Sequence, residues 1–147
     1  MNKKIFALLV IFIATVSVVS VFASEDLISH DFTEFTMKIP NGYTISESQG
    51  SVNQTIYTLT NDNGDEYSVV YYNTSNINGS KNTTDFVVNT VYGNITADGT
   101  YGNLTSFTID NGMTSINCIS SDDDSKVVVI IGSVANVEHT RDTVEFK

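Results

Sequence analysis

What this 147-residue chain lacks narrows it before any motif is considered. It has one cysteine, Cys118, so no disulfide can form within the chain. A small scaffold stapled by bridges is therefore excluded, and stability must come from a packed core, which a chain of this length can supply. Cys118 lies between Ile116 and Ile119 and reads as a small buried hydrophobe. Tryptophan is absent, which removes the usual aromatic platform of a glycan-cleaving cleft built on paired carboxylates. Basic side chains number 7 against 17 acidic ones, a formal net charge of −10. Such a surface repels nucleic acid and anionic lipid headgroups. The two histidines, His30 and His139, form no His-x-x-x-His or Glu-x-x-His pair, so a zinc site would need long-range convergence. No Gly-x-Ser-x-Gly elbow is present, and Gly132-Ser133 reads as the end of a strand. No cofactor, metal ligand or catalytic residue is expected.

The first thing present is a leader. Lys3 and Lys4 precede an apolar run from Ile5 to Phe22, and Val21-Phe22-Ala23 stands before acidic Ser24-Glu25-Asp26. This is the layout of a secretory signal peptide cut after Ala23. The 18-residue run also reaches the lower bound of a membrane span, so a retained anchor is the alternative. The expected division is residues 1–23 as signal and 24–147 as a single domain. Cleavage removes Lys3 and Lys4, leaving five basic residues against 17 acidic ones, a net of −12. The expected location is extracellular or at the cell surface, with membrane contact only through an uncleaved N-terminal segment.

The organising stretch is Lys126-Val127-Val128-Val129-Ile130-Ile131-Gly132. Five consecutive β-branched residues suit a pleated surface, and their lack of alternation places the strand centrally with both faces covered. Residues 24–33 read as a polar lead-in. Phe35, Met37 and Ile39 alternate in a strand ended by Pro40, and the Asn41-Gly42 turn leads to a strand with Tyr43, Ile45 and Glu47. The strongest hairpin joins 54–60 to 66–73, with Asn63-Gly64 expected to supply two positive-φ positions. Thr83 or Thr84 followed by Asp85 makes an N-cap with an acid in the first turn, and Phe86, Val87, Val88, Val91 and Ile95 recur at helical spacing, which predicts a helix over Asp85–Tyr92. Gly99 to Ile131 reads as a three-stranded meander, followed by a short helix over about Asn136–Asp142 and a final strand ending at Phe146. The predicted class is α+β, an antiparallel sheet with one or two helices on one face; an all-β sandwich is the alternative if 84–95 is extended.

The segment Phe35-Thr36-Met37-Lys38-Ile39-Pro40-Asn41-Gly42-Tyr43, with the order of elements after it, resembles the PsbP-like α/β domain. It is similar also to small, acidic, Asn-rich exported proteins of methanogenic archaea. Tyr43 stands where many relatives have Trp. The resemblance implies an antiparallel sheet flanked by helices in an extracytoplasmic accessory or binding module, and it carries over no functional residue.

Six Asn-x-Ser/Thr sequons mark candidate glycosylation sites, at Asn53, Asn73, Asn78, Asn82, Asn94 and Asn103. Tyr71 and Tyr72 are adjacent on a strand and so face opposite ways, which would leave one of them outside to contact a partner. Two acidic turns, Asp62-Asn63-Gly64-Asp65-Glu66 and Asp122-Asp123-Asp124, offer hard oxygen atoms without the spacing of a calcium loop. They would form a weak calcium site only if the two tips converged. The sequence reads as an exported, non-catalytic accessory or binding module whose partner is an extracellular or envelope protein or glycan. A small secreted hydrolase using Asp/Glu residues with His139 as base is one alternative. A glycosylated structural component of the envelope is the other.

Overall fold

The computed structural model describes residues 27–50, 54–73, 96–109, 112–137 and 140–147. The helix expected over Asp85–Tyr92, the N-terminal apolar run, His139, Asn53, Asn78, Asn82 and Asn94 lie outside the described residues.

Ten strands are described: β1 Leu27–Phe32, β2 Phe35–Pro40, β3 Tyr43–Gln49, β4 Gln54–Asn61, β5 Glu66–Asn73, β6 Gly99–Tyr101, β7 Leu104–Ile109, β8 Thr114–Ser120, β9 Lys126–Ser133 and β10 Glu145–Phe146. They form a three-stranded sheet, β1-β2-β10, and a seven-stranded sheet, β3-β4-β5-β9-β8-β7-β6. Every pairing is antiparallel. Helix among the described residues is limited to one turn, α1 Val134–Val137, and a 3-10 turn, Arg141–Thr143. The α+β expectation is therefore corrected: the fold is all-β. In the tail the expected final strand ending at Phe146 is present as β10, whereas the short helix expected over about Asn136–Asp142 is replaced, among the described residues, by one turn against β9 and a 3-10 turn.

The β-branched run is β9, fourth of the seven strands, and Val127, Val128, Val129 and Ile130 are all fully buried. Alternation divides it between two cores. Val128 and Ile130 face the small sheet together with Phe32, Phe35, Met37, Ile39, Tyr57, Leu59, Tyr67, Val69 and Tyr71. Val127 and Val129 face the other way with Val70, Tyr72, Phe107, Ile116 and Cys118. At roughly 1.5–3 kcal/mol for each large apolar side chain taken out of water, the first core is the main adhesive between the two sheets.

Three further sequence expectations change in detail. Residues 27–32 form β1, paired residue for residue with β2 from Leu27↔Pro40 to Phe32↔Phe35, where a polar lead-in was expected. The stretch from Gly99 folds back at Gly102 (φ 59°), so the meander has four strands, β6 to β9. The β4–β5 loop uses one left-handed residue, Gly64 at φ 82°; Asn63 is not left-handed. Asn61 organises that loop instead: its carbonyl accepts from Gly64 N–H at 3.0 Å, and its side-chain Oδ1 accepts from the N–H groups of Asn63 and Asp65. A turn with glycine in the left-handed position is a common way to close a hairpin of this loop length.

The turn at Asn41-Gly42 switches the chain between sheets. β2 ends at Pro40, Gly42 takes φ 87°, and β3 begins at Tyr43 in the large sheet. Among the described residues β1 is an edge strand of the small sheet and β3 an edge strand of the large one, and the two lie on the same flank.

Candidate binding groove

The flank bounded by β1 and β3 holds a groove made of two adjoining hollows. The first, about 360 Å³, lies under Ile28 and His30 of β1, beside Ile39 and the Pro40-Asn41-Gly42 turn, and over Tyr43 and Ile45 of β3. The second, about 240 Å³, continues past His30 and Ile45 to Phe32, Thr33, Glu47 and Tyr57. Strand alternation explains the lining. Ile28, His30 and Phe32 are every second residue of β1, and Tyr43, Ile45 and Glu47 are every second residue of β3, so each strand turns one face inward.

The floor is aromatic and tightly ordered. His30 meets Phe32 edge-on at 4.7 Å, Phe32 stacks on Phe35 at 4.6 Å and meets Tyr57 edge-on at 4.7 Å, and Tyr43 meets Tyr67 edge-on at 5.3 Å. Such offset and perpendicular pairs add to the area they bury. Burial and the neighbouring Glu47 and Glu34 carboxylates raise the Tyr57 phenol, while a hydrogen bond with Thr33 works the other way; burial is the largest cause. The rims are wet. Ile28 is 52 % exposed, and His30, Asp31 and Glu47 are exposed polar groups around an apolar slot. Convergent polar groups around an apolar concavity are the usual make-up of a recognition site.

The last residue of the chain, Lys147, fastens the β1–β2 turn at one end of the groove. Lys147 Nζ is bonded to Asp31 Oδ1 and donates to the carbonyls of Phe32 at 3.0 Å and Thr33 at 3.3 Å. Its backbone N–H donates to Glu34 O, which fixes the β1–β2 turn against the end of the chain.

The residues singled out from sequence go elsewhere. Tyr71 and Tyr72 do face opposite ways, but both are buried, at 6 % and 7 % exposure, because both faces of β5 are covered. The expectation of an outward tyrosine is corrected. The two acidic turns sit at opposite ends of the large sheet. The β5–β9 register pairs Ser68 with Ile131 near the Asp62–Asp65 tip and Asn73 with Lys126 near the Asp122–Asp124 tip, so the tips cannot converge on one cation. Among the described residues no three His, Cys, Asp or Glu side chains are grouped to hold a metal. Asp123 is occupied within its own turn: its Oδ1 accepts from Ser121 Oγ, from Ser125 Oγ and from Ser125 N–H, which holds the carboxyl down at about 2. Cys118 is buried in the second core, and burial pushes its thiol up to about 12. Asn73 closes β5 and is half-buried, whereas Asn103 is exposed on the β6–β7 turn, where its Nδ2 donates to Asp122 Oδ1 at 2.8 Å.

Sequence reasoning passes over Ile28, His30, Ile45 and Glu47 as site residues. No local signal would find them, because the sheet switch at Asn41-Gly42 has the sequence of an ordinary hairpin turn. No family model matches the chain, and no curated protein matches it.

Proposed function

We propose that this chain is an exported binding module that captures an extended segment of an extracellular or envelope partner in the groove between β1 and β3. The observation that carries the reading is the position of the groove: a slot with a polar rim, bounded by strands that are edges of their sheets among the described residues. The resemblance of Phe35–Tyr43 to a PsbP-like accessory domain agrees with a non-catalytic role, and residues of that segment line the slot. Export rests on the leader-like layout of residues 1–23. Among the described residues no helix is long and apolar enough to cross a membrane. A glycan on exposed Asn103 would sit at the β6–β7 edge, the opposite end of the large sheet from β3, and would leave the groove clear.

A hydrolase would require a histidine or carboxylate of perturbed pKa inside a pocket. Among the described residues the carboxyl that is strongly lowered, Asp123, lies on an exposed turn and owes its shift to two serines of that turn. No feature of the groove favours that reading.

Selection from a random displayed peptide library against the purified domain tests the proposal. Peptides that bind the wild type and lose at least tenfold in affinity on Ile45→Lys would support it. Enrichment only of sequences indifferent to Ile45→Lys and Ile28→Lys would sink it.

A further inference from the structure

The four sheet edges are not equally protected, and the difference identifies how the groove would be filled. β10 and β6 are two and three residues long, too short to template a strand. β1 carries His30 and Asp31, and its far end is capped by Lys147. β3 differs from all three. It runs for seven residues in unbroken register with β4, from Tyr43↔Asn61 to Gln49↔Thr55, with no bulge, proline or lysine. Its one guarding charge is Glu47, whose sign repels an acidic strand and admits a basic one. Its residues from Ser46 to Gln49 are all exposed, so no described residue lies over them. Both β3 hydroxyls nearest the groove are turned inward to the β4 ladder and leave the outer edge clear: Thr44 Oγ1 donates to Thr60 O at 3.1 Å, and Ser46 Oγ donates to Thr58 O at 3.5 Å.

We propose that the edge of β3 accepts one extended strand from a basic partner, with the pattern basic-x-apolar-x-apolar on the face turned to the groove. This rests on the groove reading above and specifies its occupant. An antiparallel strand added beyond β3 sets its inward side chains against Glu47, Ile45 and Tyr43 in turn, and β1 supplies half-exposed Ile28 as the roof. Glu47 is the one charge on β3, so a cation belongs opposite it and apolar side chains belong opposite Ile45 and Tyr43. A chain of net charge −10 disfavours a second copy of itself on this edge and favours a basic segment.

The probe is the capped heptapeptide Thr-Lys-Thr-Val-Thr-Val-Thr, titrated into the full domain and followed by backbone amide shifts and hydrogen exchange. The expected result is slowed exchange at the outward amides of β3, with affinity at least tenfold weaker when the probe's Lys is replaced by Glu. Methylating alternate probe amides should abolish the protection. Three results would overturn the proposal. Shifts at Ile28, His30 and Ile45 without protection of β3 would mean side-chain docking in the groove, leaving the broader binding reading standing. No shifts up to millimolar probe would remove the strand-addition assignment, while the displayed-library selection judges the groove separately. Protection of the same amides without peptide, rising with protein concentration, would assign the edge to a second copy.

Discussion

The two flanks of this molecule solve the problem of sheet edges in different ways. On the β10/β6 flank the edges are two and three residues long, and the tail is tied down over the large sheet. Lys126 Nζ donates to Lys147 O at 2.8 Å and pairs with Glu34 at 3.5 Å, and Arg141 reaches the buried Asn117 side chain at 3.3 Å. On the β1/β3 flank the edges are six and seven residues long, and both are largely exposed. The sheets are held by one aromatic core in the middle, so a flank needs no apolar closure of its own to be stable. One flank is free to remain open, and the groove is the consequence.

The largest expected effect lies at the centre of that core. Phe35 is fully buried, stacked on Phe32 and in ring contact with Tyr57 and Tyr71. Phe35→Ala should cost about 3–5 kcal/mol, the usual range for deleting a buried ring. Ile28→Thr, on the open flank, should cost less than about 0.5 kcal/mol because its side chain is half in water already. Urea unfolding with unchanged m-values measures both. Similar losses at the two positions would show that the groove wall is part of the stabilising core, and the contrast between the flanks would fall.

A smaller effect is expected at Gly132, in the central strand. A Cβ there would lie 2.6 Å from Tyr67 Cβ and 3.2 Å from Val137 Cγ2. The first neighbour is attached directly to the backbone and cannot swing away, so Gly132→Ala should destabilise by about 1–3 kcal/mol through overpacking. A neutral result would mean that β5 gives way beside β9 at Tyr67.

The central strand and the β4–β5 hairpin are legible in the sequence because each rests on a strong local signal, five β-branched residues in one case and Asn-Gly between alternating strands in the other. β1 is not. Ser29, His30 and Asp31 look like a solvated lead-in, and an edge strand tolerates them because it needs only one partner's ladder. The α+β reading fails in the tail, where a helix is expected over about Asn136–Asp142 but the described residues make only one turn and a 3-10 turn before the expected final strand. The groove is illegible for a topological reason. Asn41-Gly42 has the chemistry of a hairpin turn, and nothing local says that it carries the chain from one sheet to the other.

A modest effect is expected on raising the pH. Burial pushes the Cys118 thiol and, aided by Glu34 and Tyr57, the Tyr71 phenol up to about 12, and it raises Tyr67 further. Groups raised in the folded state contribute stability that is fully present below their unfolded values, about 8.5 for cysteine and 10 for tyrosine, and that is lost as pH climbs toward the folded values. The urea midpoint should therefore be flat up to about pH 8.5 and fall above it. Cys118→Ala should lower the midpoint overall yet flatten its decline between about pH 8.5 and 10. An unchanged decline in that variant would place the alkaline sensitivity in the tyrosines alone.

The smallest effect separates the two faces of one strand. Tyr71 Oη is buried and has no hydrogen-bond partner among the described residues, whereas Tyr72 Oη accepts from Gln54 Nε2 at 2.8 Å. Removing a hydroxyl that bonds to nothing relieves its desolvation cost, so Tyr71→Phe should be neutral or stabilising by up to about 1 kcal/mol. Removing one that is bonded should cost about 0.5–1.5 kcal/mol, the expectation for Tyr72→Phe. Both residues are about equally buried, so the sign of the difference reports hydrogen bonding and not burial. If Tyr71→Phe proved the costlier change, its hydroxyl would have to be bonded to water reaching in from the groove, and the core between the sheets would be less sealed on the open flank than its packing indicates.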